Sequence, residues 1–307
     1  VEAAARLALR IGHGVQRVAG DAAMPAVTRL LARVTRQPVP QWTPWLPRPA
    51  STTGPATTPE GAAATYFPSC ISRMMGAMPG EPDDLSLVEA VVAVAARAGR
   101  PVHVPHDVAG TCCGVPFSSK GFDRAHAATV NHAIERFWSW SDEGARPVVV
   151  DTSPCTYGLR TCRPYLSSEN QARFDRLRVL DLVEFLAELL PRLTVTRRFG
   201  PVALHPVCST VKMGLGGALE AVARACSDRP VTPLGAGCCG MAGDRGLMYP
   251  PLGAAATAHE AVEVRAKGLR EGYASSRTCE VNLTRHTGIP YRSIAFLLEA
   301  ATRPGRE

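Results

Sequence analysis

An α/β fold made of two similar units is what this sequence predicts, and three observations predict it. Short apolar strands alternate with amphipathic helices from about residue 62 onward, the pattern of strand–helix–strand units. A cysteine pattern occurs twice: Cys70, Cys112, Cys113 and Cys155, then Cys208, Cys238, Cys239 and Cys279. Equivalent cysteines are offset by 138, 126, 126 and 124 residues, so the second half is an internal repeat of the first. The expected architecture has short parallel strands in each unit, a pseudo-twofold between the units, and a lead-in of helices and a proline-rich linker. The boundaries are 1–36 for the helical lead-in, 37–61 for the linker, 62–196 for the first unit and 197–307 for the second.

The elements follow in order. Ile11, Val15 and Val18 share one helical face, and Val27, Leu30, Leu31 and Val34 another, so residues 1–35 read as one or two amphipathic helices. Seven prolines between Gln37 and Pro59 exclude regular helix there and indicate a linker or extended arm. In the first unit, Ala64–Phe67 is a strand before Cys70. Leu85–Arg97 is a helix capped by Asp83 or Asp84. Pro101–Val104 is a strand, Asp123–Trp138 a helix, and Pro147–Asp151 a continuous apolar strand of the kind covered on both faces. Asp181–Leu193 is a helix. In the second unit, Val202–Leu204 is a strand, Thr210–Ala225 a glycine-containing helix, and Pro230–Thr232 an extended segment. Gly253–Leu269 is a helix, Tyr273–Ser275 a strand and Tyr291–Ala301 the closing helix. Met74–Pro82, rich in Met, Gly and Pro, reads as a loop insertion that lengthens the first interval of the first unit.

Every cysteine of the repeat falls near the carboxyl end of a strand, where open α/β sheets bind their ligands. Two sets of four thiols therefore converge on two rims. Thiolate is the usual ligand of iron–sulfur clusters, and four suffice for one. Structural zinc matches the ligand number, although its usual arrangement is two close Cys pairs. Thiol–disulfide chemistry at the adjacent pairs is a third reading. The small residues Gly114, Gly237 and Gly240 leave room for a bulky group near the backbone. Cys162 and Cys226 lie outside the repeat and read as packing residues.

Composition narrows the function classes. The chain has 307 residues and 46% hydrophobic content, enough for a substantial core. Its formal charge of +7 comes from 34 basic residues, of which three are lysine (Lys120, Lys212 and Lys267). No dense basic run interleaved with aromatics is present, so no nucleic-acid partner is expected. A basic surface suits an acidic partner or an anionic membrane face. No apolar run reaches the ~20 residues of a membrane span. The charged start, Val1-Glu2-Ala3-Ala4-Ala5-Arg6, is not an apolar leader and reads as mid-helix in a longer protein. A cytoplasmic location is expected, with peripheral contact at the inner face of the membrane as an option. Ten cysteines in a large chain point to metal or redox chemistry rather than a disulfide framework.

Three phrases carry a resemblance: Tyr66-Phe67-Pro68-Ser69-Cys70, Cys238-Cys239-Gly240-Met241-Ala242-Gly243-Asp244-Arg245-Gly246, and Cys279-Glu280-Val281-Asn282-Leu283. Over about residues 62–303 the chain resembles the cysteine-rich CCG-domain proteins. In particular it resembles the C-terminal part of the FAD-linked, iron–sulfur D-lactate (D-2-hydroxy acid) dehydrogenases. The resemblance implies one or two 4Fe-4S clusters on the eight repeat cysteines, with FAD on an upstream flavin domain of the same polypeptide. Electrons would pass to a quinone or cytochrome acceptor. The heterodisulfide reductase relatives use a fifth cysteine three residues before the last one. Thr152 and Ser276 stand there in this chain, so the disulfide-reducing chemistry does not carry over. Among other rim residues, His205 is read as a ligand, a hydrogen-bond donor to a cluster or a proton relay, against a packing role. Asp244 and Arg245 are read as a mutual pair or as contacts to a substrate carboxylate. Glu280 is read as a helix cap, and Arg285 and His286 as rim residues or a solvated helix face.

Overall fold

The computed structural model describes residues 1–52, 54–78, 81 and 85–305. Two helices lead, α1 (Glu2–Ala19) and α2 (Ala23–Thr35). The first unit runs β1 (Ala64–Phe67), α3 (Cys70–Met74), α4 (Leu87–Arg97), β2 (Val102–His103), α5 (Val115–Ser118), α6 (Asp123–Trp140), β3 (Val148–Val150), α7 (Ser153–Arg160), α8 (Ser168–Arg176), β4 (Val179–Asp181) and α9 (Leu182–Leu189). The second runs β5 (Val202–Leu204), α10 (Cys208–Lys212), α11 (Gly216–Cys226), β6 (Pro230–Val231), α12 (Arg245–Met248), α13 (Pro250–Ala266), β7 (Gly272–Ala274), α14 (Arg277–Thr287), β8 (Tyr291–Ser293) and α15 (Ile294–Thr302).

Each unit is a four-stranded, all-parallel sheet, ordered β2-β1-β3-β4 in the first and β6-β5-β7-β8 in the second. The identical order confirms the repeat and the α/β class. In both sheets the chain turns to opposite sides of the first strand to add the second and third. That reversal opens a crevice at the carboxyl ends of β1 and β3, and of β5 and β7.

One face of each sheet packs against a shared layer of four helices. Tyr66, Val149 and Leu180 of the first sheet and Leu204 and Tyr273 of the second belong to one apolar core with α4, α9, α11 and α15. Across the units α4 lies against α15 and α9 against α11. By position in the repeat α4 matches α11 and α9 matches α15, so the two contacts exchange under a twofold. The outer faces have separate cores, one around Phe67, Phe137 and Val150, the other around Ala203, Val264 and Tyr291. A smaller apolar cluster ties the lead-in to both units: Leu9, Trp42, Leu46 and Met78 meet Val281 of α14. Gly12 makes this fit possible, since a Cβ there would lie 2.1 Å from the Trp42 ring.

The structure revises several element assignments. The α4 cap is Ser86, which accepts from the N–H of Glu89 in a capping box, while Asp83 and Asp84 lie outside the described residues. Strand β4 is not among the expected elements, and β8 occupies the start of the expected helix Tyr291–Ala301. Each has three residues and passes directly into a helix through a capping side chain, Asp181 or Ser293. Helical periodicity in Leu182–Leu189 and Ile294–Thr302 masks so short a strand. The expected helix 210–225 is broken at Gly214 and Leu215 into α10 and α11.

Asp181 also gives a pH prediction. Burial pushes its carboxyl up from 3.8 to about 6, although the Val183 N–H works the other way. The folded chain therefore holds a proton that the unfolded chain releases. Stability from this group is full at low pH and is lost as pH rises from about 3.8 to about 6, by up to ~1.4 kcal/mol per unit. Asp181→Asn keeps a cap without the charge, so urea unfolding across pH 4–7 is expected to show a flatter profile than the parent.

Candidate metal centres

Four repeat cysteines interact in the first unit and three, Cys208, Cys239 and Cys279, in the second, where the fourth, Cys238, is exposed beside Cys239 in the chain. In the first unit Cys70 opens α3 just beyond β1, and Cys112 and Cys113 follow β2. Cys155 sits in the first turn of α7 beyond β3. The four thiols form a connected chain. Cys113 Sγ lies 2.8 Å from Cys155 Sγ, Cys112 interacts with Cys113, and Cys70 with Cys112. Cys112 is the acceptor of the set. The thiols of Cys113 and Cys70 donate to it, the Gly114 N–H and the Arg73 charge add to this, and its pKa falls to about 3 against the cost of burial. Cys70 and Cys113 are pushed up in return, chiefly by their bonds to Cys112.

In the second unit Cys239 Sγ lies 2.7 Å from Cys279 Sγ. The Cys279 thiol draws Cys239 down to about 7 against burial, with help from the Met241 N–H and the His205 charge. Cys208 acts electrostatically on Cys279, and Cys238 accepts a hydrogen bond from the Gly240 N–H at 3.3 Å. Cys208 and Cys238 are exposed, whereas their counterparts Cys70 and Cys112 are half-buried. The second centre therefore opens to solvent more widely than the first. The sulfur contacts in both units exceed the ~2.05 Å of a disulfide, and all ten cysteines are free thiols. Among the described residues, no three His, Cys, Asp or Glu side chains are already arranged around one ion.

The donor set fits iron–sulfur chemistry: soft sulfurs clustered in each unit, one of them in each already favoured as thiolate, with backbone N–H groups reaching sulfur. It also fits the ligand count of zinc, which the chemistry of four thiols alone does not distinguish.

Gly114 and Gly240 serve the backbone rather than the cofactor. Both have left-handed conformations, at φ 79° and φ 75°. A Cβ on Gly114 would lie 2.7 Å from His126 of α6, and one on Gly240 would lie 2.7 Å from Gly253 of α13. The space beside them is filled by the following long helix, contrary to the expectation of room for a bulky group. Only at Gly237 is the added-Cβ position open.

Several residues that organise the rims were not singled out from sequence. Arg73 donates to the Pro68 and Thr111 carbonyls and pairs with Glu2, which locks the residue before Cys112 to the β1–α3 corner. Asp151 accepts from Ser69 N–H, Thr152 Oγ1 and Tyr66 OH and so fixes the same corner from β3. Asn282 donates to the Cys239 carbonyl at 2.7 Å. The only signal for Asn282 was its place three residues after Cys279, one helical turn on.

The remaining rim residues separate by position. His205 is fully buried; its Nδ1 lies 2.7 Å from Glu260, which also accepts from Tyr291 OH at 2.8 Å. Asp244 pairs with Lys120 of the first unit at 2.8 Å and not with Arg245, which is exposed. Glu280 is buried against Arg277 in the first turns of α14. Arg285 and His286 are half-buried on α14, not a solvated face. Thr152 and Ser276 are the N-cap residues of α7 and α14. Cys162 and Cys226 are core residues; burial raises their pKa to about 11 and about 12, which leaves them inert thiols.

Residues 64–160 match the family of cysteine-rich domains known as CCG. No curated protein matches the chain. Among the described residues, no helix is long and apolar enough to cross a membrane.

Proposed function

With residues 64–160 a cysteine-rich domain of the CCG type, we propose that this chain is an iron–sulfur electron carrier within a larger oxidoreductase. The first centre is held by Cys70, Cys112, Cys113 and Cys155, the second by Cys208, Cys238, Cys239 and Cys279. The observation that supports this reading is the connected chain of four thiols in the first unit and the equivalent cluster of Cys208, Cys239 and Cys279 in the second. Bound there, a cluster supplies one-electron chemistry. The protein's part is to hold it with thiolates, to offer backbone N–H groups to sulfur, and to bury two of the four ligands in each set.

The finer reading is the electron-transfer portion of a FAD-linked D-lactate or related D-2-hydroxy acid dehydrogenase. It rests on the motif phrases around Cys70, Cys238 and Cys279. In that reading a flavin domain of the same polypeptide takes hydride from the acid, and single electrons leave through this chain to a quinone or cytochrome at or near the inner face of the membrane. The exposed second centre favours an exit to a docked acceptor.

Anaerobic purification tests this. The chain is expected to be brown, with equal iron and acid-labile sulfide, and to lose part of its iron in Cys112→Ser and a separate part in Cys239→Ser. Colourless protein with stoichiometric zinc would instead make it a zinc-stabilised docking module. Metal-free protein with rapidly alkylated Cys112 would favour thiol–disulfide chemistry. The chain alone is not expected to turn over D-lactate with a dye acceptor.

A further inference from the structure

The two centres differ by one buried residue that the repeat itself exposes. His205 stands three residues before Cys208, as Phe67 stands three before Cys70. Phe67 packs edge-on to Phe137 and stacks on Trp140, in the same apolar cluster as Cys113 and Cys155. In the second unit that place holds an imidazole. Around it the apolar packing is replaced by a polar chain, His205–Glu260–Tyr291, in which each residue is at most 1% exposed. A buried polar chain in a core position needs a compensating partner for every atom. Both Glu260 oxygens are used, one by Tyr291 and one by His205 Nδ1. His205 Nε2 is buried and has no hydrogen-bond partner among the described residues. It lies near enough to Cys239 for its charge to act there.

Glu260 holds the ring through Nδ1. His205 directly follows β5 and Cys208 opens α10, so with Nδ1 engaged Nε2 is the ring atom left to meet a group bound at this strand end.

We propose that His205, held by Glu260 and Tyr291, donates its Nε2–H to a sulfur of the second centre and places that centre at a higher reduction potential than the first. This rests on the reading of both centres as iron–sulfur clusters. Reduction adds one electron and one negative charge to a cluster. A hydrogen-bond donor at its sulfur stabilises that added charge, whereas Phe67 offers none to the first centre. Electrons then run from the enclosed first centre to the open second one, which is the direction needed to reach an external acceptor.

The test is an EPR-monitored potentiometric titration of the full anaerobic chain, with dithionite as reductant and iron quantified in every sample. Two signals are expected, and the one lost in Cys239→Ser should have the higher midpoint. His205→Phe, which copies the first unit, should lower that midpoint by a tenfold change in the reduced-to-oxidised ratio, ~59 mV for one electron. The other signal should not move. Glu260→Gln should shift the same signal in the same direction, and His205→Gln, which keeps an N–H donor, should recover part of the loss. Full iron content with no shift in any of these variants overturns the proposal. Loss of the second centre's iron in a folded His205→Gln chain also overturns it, because His205 would then be a ligand. Absence of iron from the second unit of the parent chain overturns the cluster reading itself, which the iron assay separates from the other outcomes.

Discussion

Replacing Arg277 with methionine is expected to lower the unfolding free energy by about 3–5 kcal/mol. Arg277 is buried at the start of α14, two residues before Cys279, and contacts Glu81 at 2.5 Å and Glu280 at 3.2 Å. Both carboxylates are buried as well, and the charge of Asp151 also reaches Arg277. Removing this cation leaves buried acidic groups without their charge partner, and the cost comes from those groups more than from the lost arginine. The triple change Arg277→Met, Glu81→Gln and Glu280→Gln should recover most of the loss. Urea unfolding of the single and triple variants checks this; a single variant within ~1 kcal/mol of the parent would contradict it.

Alanine at Gly114 or at Gly240 has the next largest expected effect. Both glycines are left-handed, and an L-residue there costs about 1–3 kcal/mol in backbone strain. The added methyl also meets the following helix at 2.7 Å, for a further ~1–3 kcal/mol of overpacking. At Gly240 the contact is backbone, Gly253 Cα and the Leu252 carbonyl, and cannot turn aside. At Gly114 it is the His126 ring and Val130, which can move. Gly240→Ala is therefore expected to lower the melting temperature more than Gly114→Ala. Gly237→Ala, with open space and ordinary backbone, should be nearly neutral. Thermal unfolding of the three variants gives the ranking.

The fold was readable where strands stand apart from helices. Val148–Val150 is a continuous apolar run with punctuation on both sides, and the cysteine offsets exposed the repeat. The outer strands were not readable, because Val179–Asp181 and Tyr291–Ser293 give three residues each before a helical period takes over. The cysteine positions were legible because strand ends in parallel sheets share one edge. What holds those edges was not. Arg73, Asp151 and Arg277 each have a partner 38 to 196 residues away, and such contacts leave no local pattern. The glycines of the two Cys-Cys-Gly motifs were noticed for a different reason from the one the packing gives. His205 was visible beside Cys208, but its partner Glu260 is 55 residues on, within an otherwise unremarkable helix.

The four-helix layer between the sheets has a consequence for how these repeats can change over generations. Because α4, α9, α11 and α15 share one interior, neither copy can be discarded without exposing the other's apolar face. A duplicate that lost its ligands would still be kept as scaffolding. The layer thereby frees one crevice to drift in chemistry while the other is held constant. An imidazole beneath one set of cysteines and a phenyl ring beneath the other is the kind of divergence such a tethered pair permits.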